Sequence, residues 1–258
     1  MNERAFSDAD MRAPSEAEIA ASVGLALLPG IGPRTIKRWL VTAGSAEIVW
    51  RELPAWVRGR HDSDEIVAAW KAVDPLDVAA TAYTRDIDII AWRDARYPTM
   101  LRQIIDAPPV LFVRGVFAEG PAVAVVGSRR ATPYGRAAAA RIAFDLARCG
   151  VTIVSGLARG IDGAAHEAAL EGKGVTIAVL GCGVDVTYPR EHRALAASIS
   201  LSGALVSEFP PAMPPLPHHF PRRNRLISGL ADGVIVVEGS EDSGALITVD
   251  YALDQGRE

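Results

Sequence analysis

Five short apolar runs, AVAVVG, VTIVSG, VTIAVLG, GALVSE and DGVIVVEG, recur through the second half of the chain, each followed by a helical stretch. The helices begin near Tyr134, Ile161, Glu191, Arg222 and Ala245. Runs this rich in Val and Ile, without polar alternation, suit strands buried on both faces, which requires helices on both sides of a parallel sheet. The expected fold is therefore α/β: a doubly wound parallel, extended Rossmann-like sheet. Two earlier strands, DIDIIAW and PPVLFVRG, flank a short helical piece, YPTMLRQI, and carry this region back to Tyr83.

The preceding text has a different grammar. The first dozen residues are polar and read as a frayed end. Ser15-Glu16-Ala17-Glu18 fits a capping box opening a helix through IAASVGLALL. In LLPGIGPRTIKRWL, Pro33 suits the first turn of a second helix, and SDEIVAAWKAV continues the helical pattern. Residues 1–82 thus read as a small all-helical domain of SAM or helix-hairpin-helix type, and residues 83–258 as the Rossmann-like domain. Gly30-Ile31-Gly32 fits two readings: a hairpin whose N–H groups hold a phosphate, or a tight turn that needs glycine.

Composition excludes several classes. Hydrophobic residues make up 49% and charged residues 22%, as in ordinary globular proteins. No apolar run has the ~18–20 residues of a membrane span, and the N-terminus lacks a signal-peptide core. Cys149 and Cys182 give neither a disulfide framework nor a metal knuckle, and a cytoplasmic location is expected. VGSRRATPYG lacks G-x-G-x-x-G, no Walker loop occurs, and the five histidines have no zinc-ligand spacing. No metal, cofactor or catalytic constellation is expected.

Net charge is −4, so an anion site has to be a local patch. HHFPRRNRLISGLADG supplies one: Arg222, Arg223 and Arg225 follow a proline at the head of a helix, and no Asp or Glu occurs between Glu208 and Asp232. Cations at a helix N-terminus are unfavourable unless an anion joins them. In a doubly wound sheet the strand-to-helix loops share the carboxyl edge, where ligands bind. Here those loops read GSRRATPYG, SGLARGIDGAAH, GCGVDVTYP, SEFPP…HHFPRRNR and EGSEDSGALIT, rich in Gly, Ser and Arg. Arg223 shares a helical face with Leu226, Ile227 and Leu230 and can reach over the sheet edge from the first turn. Asp162 and His166 fit an ordinary N-terminal charge and a surface or packing residue, with direct ligand contact as the alternative. Asp185 and Tyr188 fit loop fixation, and Glu208 and Glu238 fit either acids or, since each ends a strand, carboxylates that cap a neighbouring helix.

VGSR, SGLARGIDGAAH, GCGVDVTYP, SEFPP, FPRRNRLISGL and SGALITVDYALDQGRE together resemble the successive motifs of the DNA-processing protein A family (DprA, also called Smf). The resemblance runs from about Tyr83 to the end, and LLPGIGPRTIKRWL is similar to the family's N-terminal helical module. It implies a non-catalytic single-stranded DNA-binding protein of natural transformation that protects incoming strands and loads the recombinase RecA. It also implies pairing into a homodimer through the Rossmann-like domain. Carried over by motif, Ser128 and Arg129 would hold backbone phosphate, with Gly156, Arg159 and Gly160 close by. Phe220, Arg223, Asn224 and Arg225 would form the opposite wall, Phe220 offering a stacking face. Two departures stand out. His192 occupies a position where the family often has Asn, and the family pattern runs past GRE into another strand, so the domain reads as cut short at its C-terminal end. The competing reading is a nucleotide-binding enzyme of the lysine-decarboxylase-like, phosphoribohydrolase type. It lacks support because EGSEDSGALITVDYAL has no PGGxGTxxE motif.

Overall fold

The computed structural model describes residues 13–240 and 243–258, so the polar first dozen residues lie outside the described part. The chain divides into two compact units, residues 1–111 and 112–258.

The described part of the first unit holds helices α1 (Glu16–Leu27), α2 (Pro33–Ala43), α3 (Ala46–Arg51), α4 (Leu53–Trp56), α5 (Ser63–Ala72) and α6 (Pro75–Tyr83). Strand β1 (Asp88–Ala91) and helix α7 (Thr99–Gln103) follow. Ser15 caps α1 by accepting from the Glu18 N–H at 3.1 Å. Glu18 does not close the box on its own helix. Its carboxylate instead accepts from Ser45 Oγ at 2.6 Å, Ala46 N at 2.8 Å and Glu47 N at 3.1 Å. A capping residue of one helix thereby satisfies the orphan N–H groups of another. Pro33 opens α2 and Gly44, left-handed at φ 75°, closes it. The turn between α1 and α2 is filled from within this unit. Arg60 donates to the Gly30 carbonyl and to both oxygens of Asp62, and a Cβ at Gly30 would stand 2.8 Å from Asp62 Oδ2.

The unit boundary falls within β2 (Val110–Gly115). Beyond it come β3 (Ala122–Val126), α8 (Pro133–Arg148), β4 (Thr152–Ser155), α9 (Ile161–Glu171), β5 (Thr176–Val179), α10 (Arg193–Ser202) and β6 (Ala204–Ser207). The unit ends with α11 (His219–Gly229), β7 (Gly233–Val236) and α12 (Gly244–Asp254). In the second unit the strands lie in the order β2-β6-β5-β4-β3-β7. All neighbours are parallel except β2 with β6, whose register runs Phe112↔Ser207 to Gly115↔Ala204. From β3 the chain steps outward through β4 and β5 to β6, then returns across the sheet to place β7 beside β3. Right-handed crossovers send the returning connection to the opposite face, giving the doubly wound arrangement expected from the sequence.

Every residue of β4, β5 and β6 is buried, which is why these strands lack polar alternation. On one face α8 and α9 pack through small residues: Ala139, Ala143 and Ala147 meet Ile161, Ala165, Ala168 and Ala169 above Val125 and Ile153. On the edge strand β7 each residue is half-buried. The backbone of Glu258 runs beside it, accepting from Val234 N at 2.7 Å and donating to Asp232 O at 3.3 Å.

Helix α11 starts at His219, three residues before the Arg222 expected from sequence. Pro221 lies inside the first turn, where its missing N–H costs nothing because no intrahelical acceptor faces it. Among the described residues no helix is long and apolar enough to cross a membrane. Cys149 is exposed, Cys182 is buried, and both are free thiols.

Candidate nucleic-acid interface

Strands β3 and β7 are neighbours in space but belong to opposite directions of winding, so the loops at their carboxyl ends leave a crevice between them. A cleft of about 600 Å³ opens there. Its walls are the β3–α8 loop from Gly127 to Arg130, the first turns of α11 (Phe220, Arg223, Asn224) and the start of α12 at Ser243–Ala245.

Arg223 forms part of the cleft lining and is only 3% exposed. Its Nε and Nη1 have no hydrogen-bond partner within the described residues. Burial pushes its pKa down to about 10; Asp162 opposes that shift and Arg129 adds to it. The group is still cationic at neutral pH. A buried cation with free N–H donors is costly, and an arriving anion relieves that cost. Asp162 is also buried, and desolvation raises its pKa against the pull of Arg223. Its Oδ2 accepts from Gly156 N at 3.1 Å and Ala158 N at 3.3 Å, which ties down the β4–α9 loop.

Across the cleft Arg129 and Arg130 are exposed. The Arg129 guanidinium sits 5.2 Å from the centre of the Phe220 ring, and Tyr188 lies 5.4 Å from the same ring. Ser128 is held by its backbone, its N–H donating to the Glu238 carbonyl at 2.7 Å, while its Oγ accepts from Arg130 N at 3.1 Å. The Glu238 carboxylate accepts from Thr132 N at 3.0 Å and Thr132 Oγ at 2.6 Å, and Thr132 caps α8. Both ends of the β3–α8 loop are therefore anchored to Glu238, two residues past the end of β7. Asn224 Nδ2 donates to Gly244 O at 3.1 Å and braces α11 on α12.

The structure brings together Ser128, Arg129, Phe220, Arg223 and Asn224 on the cleft lining. It does not bring the other four candidates there. Arg225 lies off the cleft lining and is turned to an acid. It is 2% exposed, and its Nη1 and Nη2 donate to Glu208 Oε1 and Oε2, both at 2.9 Å. Arg222 adds a contact to Glu208 Oε2 at 2.7 Å. Two of the three arginines in the PRRNR run thus share one carboxylate upstream of the proline-rich loop. Arg159 is exposed and ion-paired with Glu191. Gly160, left-handed at φ 77°, lets the β4–α9 loop pass against the Ser128 carbonyl, which a Cβ would strike. Gly156 gives its N–H to Asp162, so that donor is used inside the fold.

Arg130, Tyr188 and Thr248 also line the cleft and were not singled out as contacts from sequence. Arg130 adjoins a residue that was, which is the one available signal. Thr248 sits within an apolar helix, where nothing in the sequence distinguishes it.

A family model described as DNA recombination-mediator protein A matches residues 88–258. Protein Smf of Escherichia coli (strain K12) is 53% identical over 165 residues, covering 63% of this chain and 44% of that protein. DNA processing protein DprA of Bacillus subtilis (strain 168) is 44% identical over 184 residues, covering 70% and 62% respectively. The chain therefore spans less than two thirds of the length of these relatives. The crystal structure of DNA processing protein A from Streptococcus pneumoniae superposes with a TM-score of 0.80 at 33% identity, covering 96% of this chain and 86% of that one. A Helicobacter pylori structure, described for the single-stranded DNA binding mode of its DNA processing protein A, superposes with a TM-score of 0.59 at 29% identity, covering 66% and 78%. A family model that takes in every strand of the doubly wound sheet establishes that the chain belongs to the DNA recombination-mediator protein A family.

Proposed function

We propose that the cleft between the β3 and β7 loops binds the backbone of single-stranded DNA, and that the chain acts in DNA processing during natural transformation. In this reading it shields incoming strands and delivers them to the recombinase RecA, working in the cytoplasm as a homodimer paired through its Rossmann-like unit. One observation carries the DNA assignment: Arg223 is a buried cation whose Nε and Nη1 have no partner among the described residues, lining the same cleft as Arg129 and Arg130. Guanidinium forks suit phosphate oxygens, and Phe220 and Tyr188 give a base an aromatic face. The single-stranded DNA binding mode described for the Helicobacter pylori relative supports the choice of ligand. The role is binding without turnover. Among the described residues, Asp162 is the carboxylate on the cleft lining, and it is committed to backbone hydrogen bonds of the β4–α9 loop, where it fixes structure and does no general acid–base work.

Titration of labelled oligo(dT) against the parent, Arg129→Ala and Arg223→Ala tests this reading. Each loss of a charge-assisted contact costs about 1–3 kcal/mol, roughly tenfold to a hundredfold in affinity. Each variant also shows a salt slope shallower by about 0.7. Arg141→Ala, on the surface of α8 where Arg141 pairs with Asp145, leaves affinity unchanged. Parent-like binding by both cleft variants, at parent-like melting temperature, would place the anion site elsewhere.

A further inference from the structure

Arg223 reaches the cleft by lying across the backbone of Gly156. A Cβ built at Gly156 would overlap Arg223 Nη1 and stand 2.6 Å from Cζ and 2.8 Å from Nη2. All three of its nearest neighbours belong to that one guanidinium. The backbone of Gly156 is outside the left-handed region, so an L-residue fits there by conformation. Its N–H is held by Asp162 whatever the side chain. Space for the guanidinium is the nearest demand that the structure makes for glycine at this position. Gly160, by contrast, faces the fixed carbonyl of Ser128 with a positive φ, and there any side chain disturbs the backbone itself.

We propose that Gly156 is a positioning residue for DNA binding: its missing side chain forms the seat on which the Arg223 guanidinium is presented to a phosphate. Asp162 completes the seat by fixing the Gly156–Ala158 turn from below. A methyl group at Gly156 pushes away the far end of a flexible side chain, which costs the fold little, and removes the guanidinium from the place where an anion meets it. The glycine of the SGLARGID motif thus acts through an arginine 67 positions later, not by offering its own N–H to the ligand. The inference rests on the reading of the cleft as a phosphate site.

A double-mutant cycle tests it, using oligo(dT) affinity at several salt concentrations for the parent, Gly156→Ala, Arg223→Ala and the double variant. Gly156→Ala is expected to bind about five- to twentyfold more weakly, with a salt slope shallower by about 0.7, the signature of one lost phosphate contact. In the Arg223→Ala background the same substitution changes affinity by less than about twofold. Parent-like binding by Gly156→Ala, beside weak binding by Arg223→Ala, would overturn the seat and leave the cleft assignment standing. Independent losses in the double variant would also overturn it, because the glycine would then act on something other than Arg223. Parent-like binding by Arg223→Ala would remove the phosphate site and the seat together. Should Gly156→Ala fail to fold alone, the Arg223→Lys background decides, since a lysine lacks the planar fork that fills the seat. A folded Gly156→Ala/Arg223→Lys protein that binds like Arg223→Lys supports the proposal, and one that stays unfolded or binds more weakly overturns it.

Discussion

At residue scale, buried polar groups were the hardest part of this protein to read from sequence. Asp162 and His166 both look like ordinary helix residues, yet each is buried. His166 is fully buried, with Nδ1 2.6 Å from Thr176 Oγ. The Thr176 hydroxyl donates to Ile153 O at 2.8 Å, so its oxygen accepts and Nδ1 carries the ring proton. Burial, with the added charges of His192 and Arg223, lowers the His166 pKa to about 3. A histidine depressed in the fold keeps its full contribution above its unfolded value near 6.5 and loses it as pH falls toward 3. Across that window His166 alone subtracts up to about 1.4 kcal/mol of stability per pH unit. Urea unfolding at pH 7 and pH 4.5 should therefore show a shallower acid loss for His166→Gln than for the parent. Equal pH dependence would mean that His166 protonates without cost and that its burial is relieved in acid.

At element scale, the strands and the order of helices were legible because their signal is local: unbroken Val/Ile runs and small-residue helices announce burial on both faces. Helix α11 shows where that reasoning ends. The wheel correctly set Arg223 with Leu226, Ile227 and Leu230, but it assumed a single buried face. This helix is covered on opposite sides, and Arg223 and Arg225 are both buried. One side meets α12, and Gln255, the residue that caps its end, donates from Nε2 to the Arg225 carbonyl at 3.0 Å. Which arginine was left facing the cleft and which met an acid was settled by Glu208, 17 residues before Arg225 and brought back by the proline-rich loop. Two arginines share that carboxylate, whose side chain is 2% exposed. Removing one member of a buried pair leaves an unmatched charge, so Glu208→Gln should lower stability by about 3–5 kcal/mol. Thermal melting checks this, and a change of less than about 1 kcal/mol would show that water or movement of α11 relieves the pair.

At the scale of the whole molecule, the decisive fact is topological. The order β2-β6-β5-β4-β3-β7 turns back at β3, and the cleft lies at that reversal. Five separated loops could be assigned to one edge from sequence, but not the neighbours along it. That required knowing that β7 pairs with β3, through Val123↔Gly233 to Val126↔Val236. All cleft residues come from positions 126 to 248. The Gly30-Ile31-Gly32 turn of the helical unit, open to two readings from sequence, is filled by Arg60 and by the Asp62 carboxylate. An acid beside the turn opposes phosphate capture there. Arg34→Ala and Arg38→Ala, on the exposed side of α2, should leave oligo(dT) affinity within about twofold of the parent. A loss comparable to that of Arg129→Ala would assign the helical unit a direct part in holding DNA.

The anchoring of the β3–α8 loop to Glu238 bears on timing. With Ser128 and Thr132 both tied to that residue, the wall carrying Arg129 is held in place by the fold itself, and on the proposed reading it meets its ligand in that shape. Little ordering of the protein then stands between collision and capture, and encounter is governed by diffusion and the field of the exposed arginines. On the proposed reading, Arg223→Ala shortens the lifetime of the complex and leaves its rate of formation nearly untouched. A strand held in this way is let go by loosening a finished grip, not by refolding the hand.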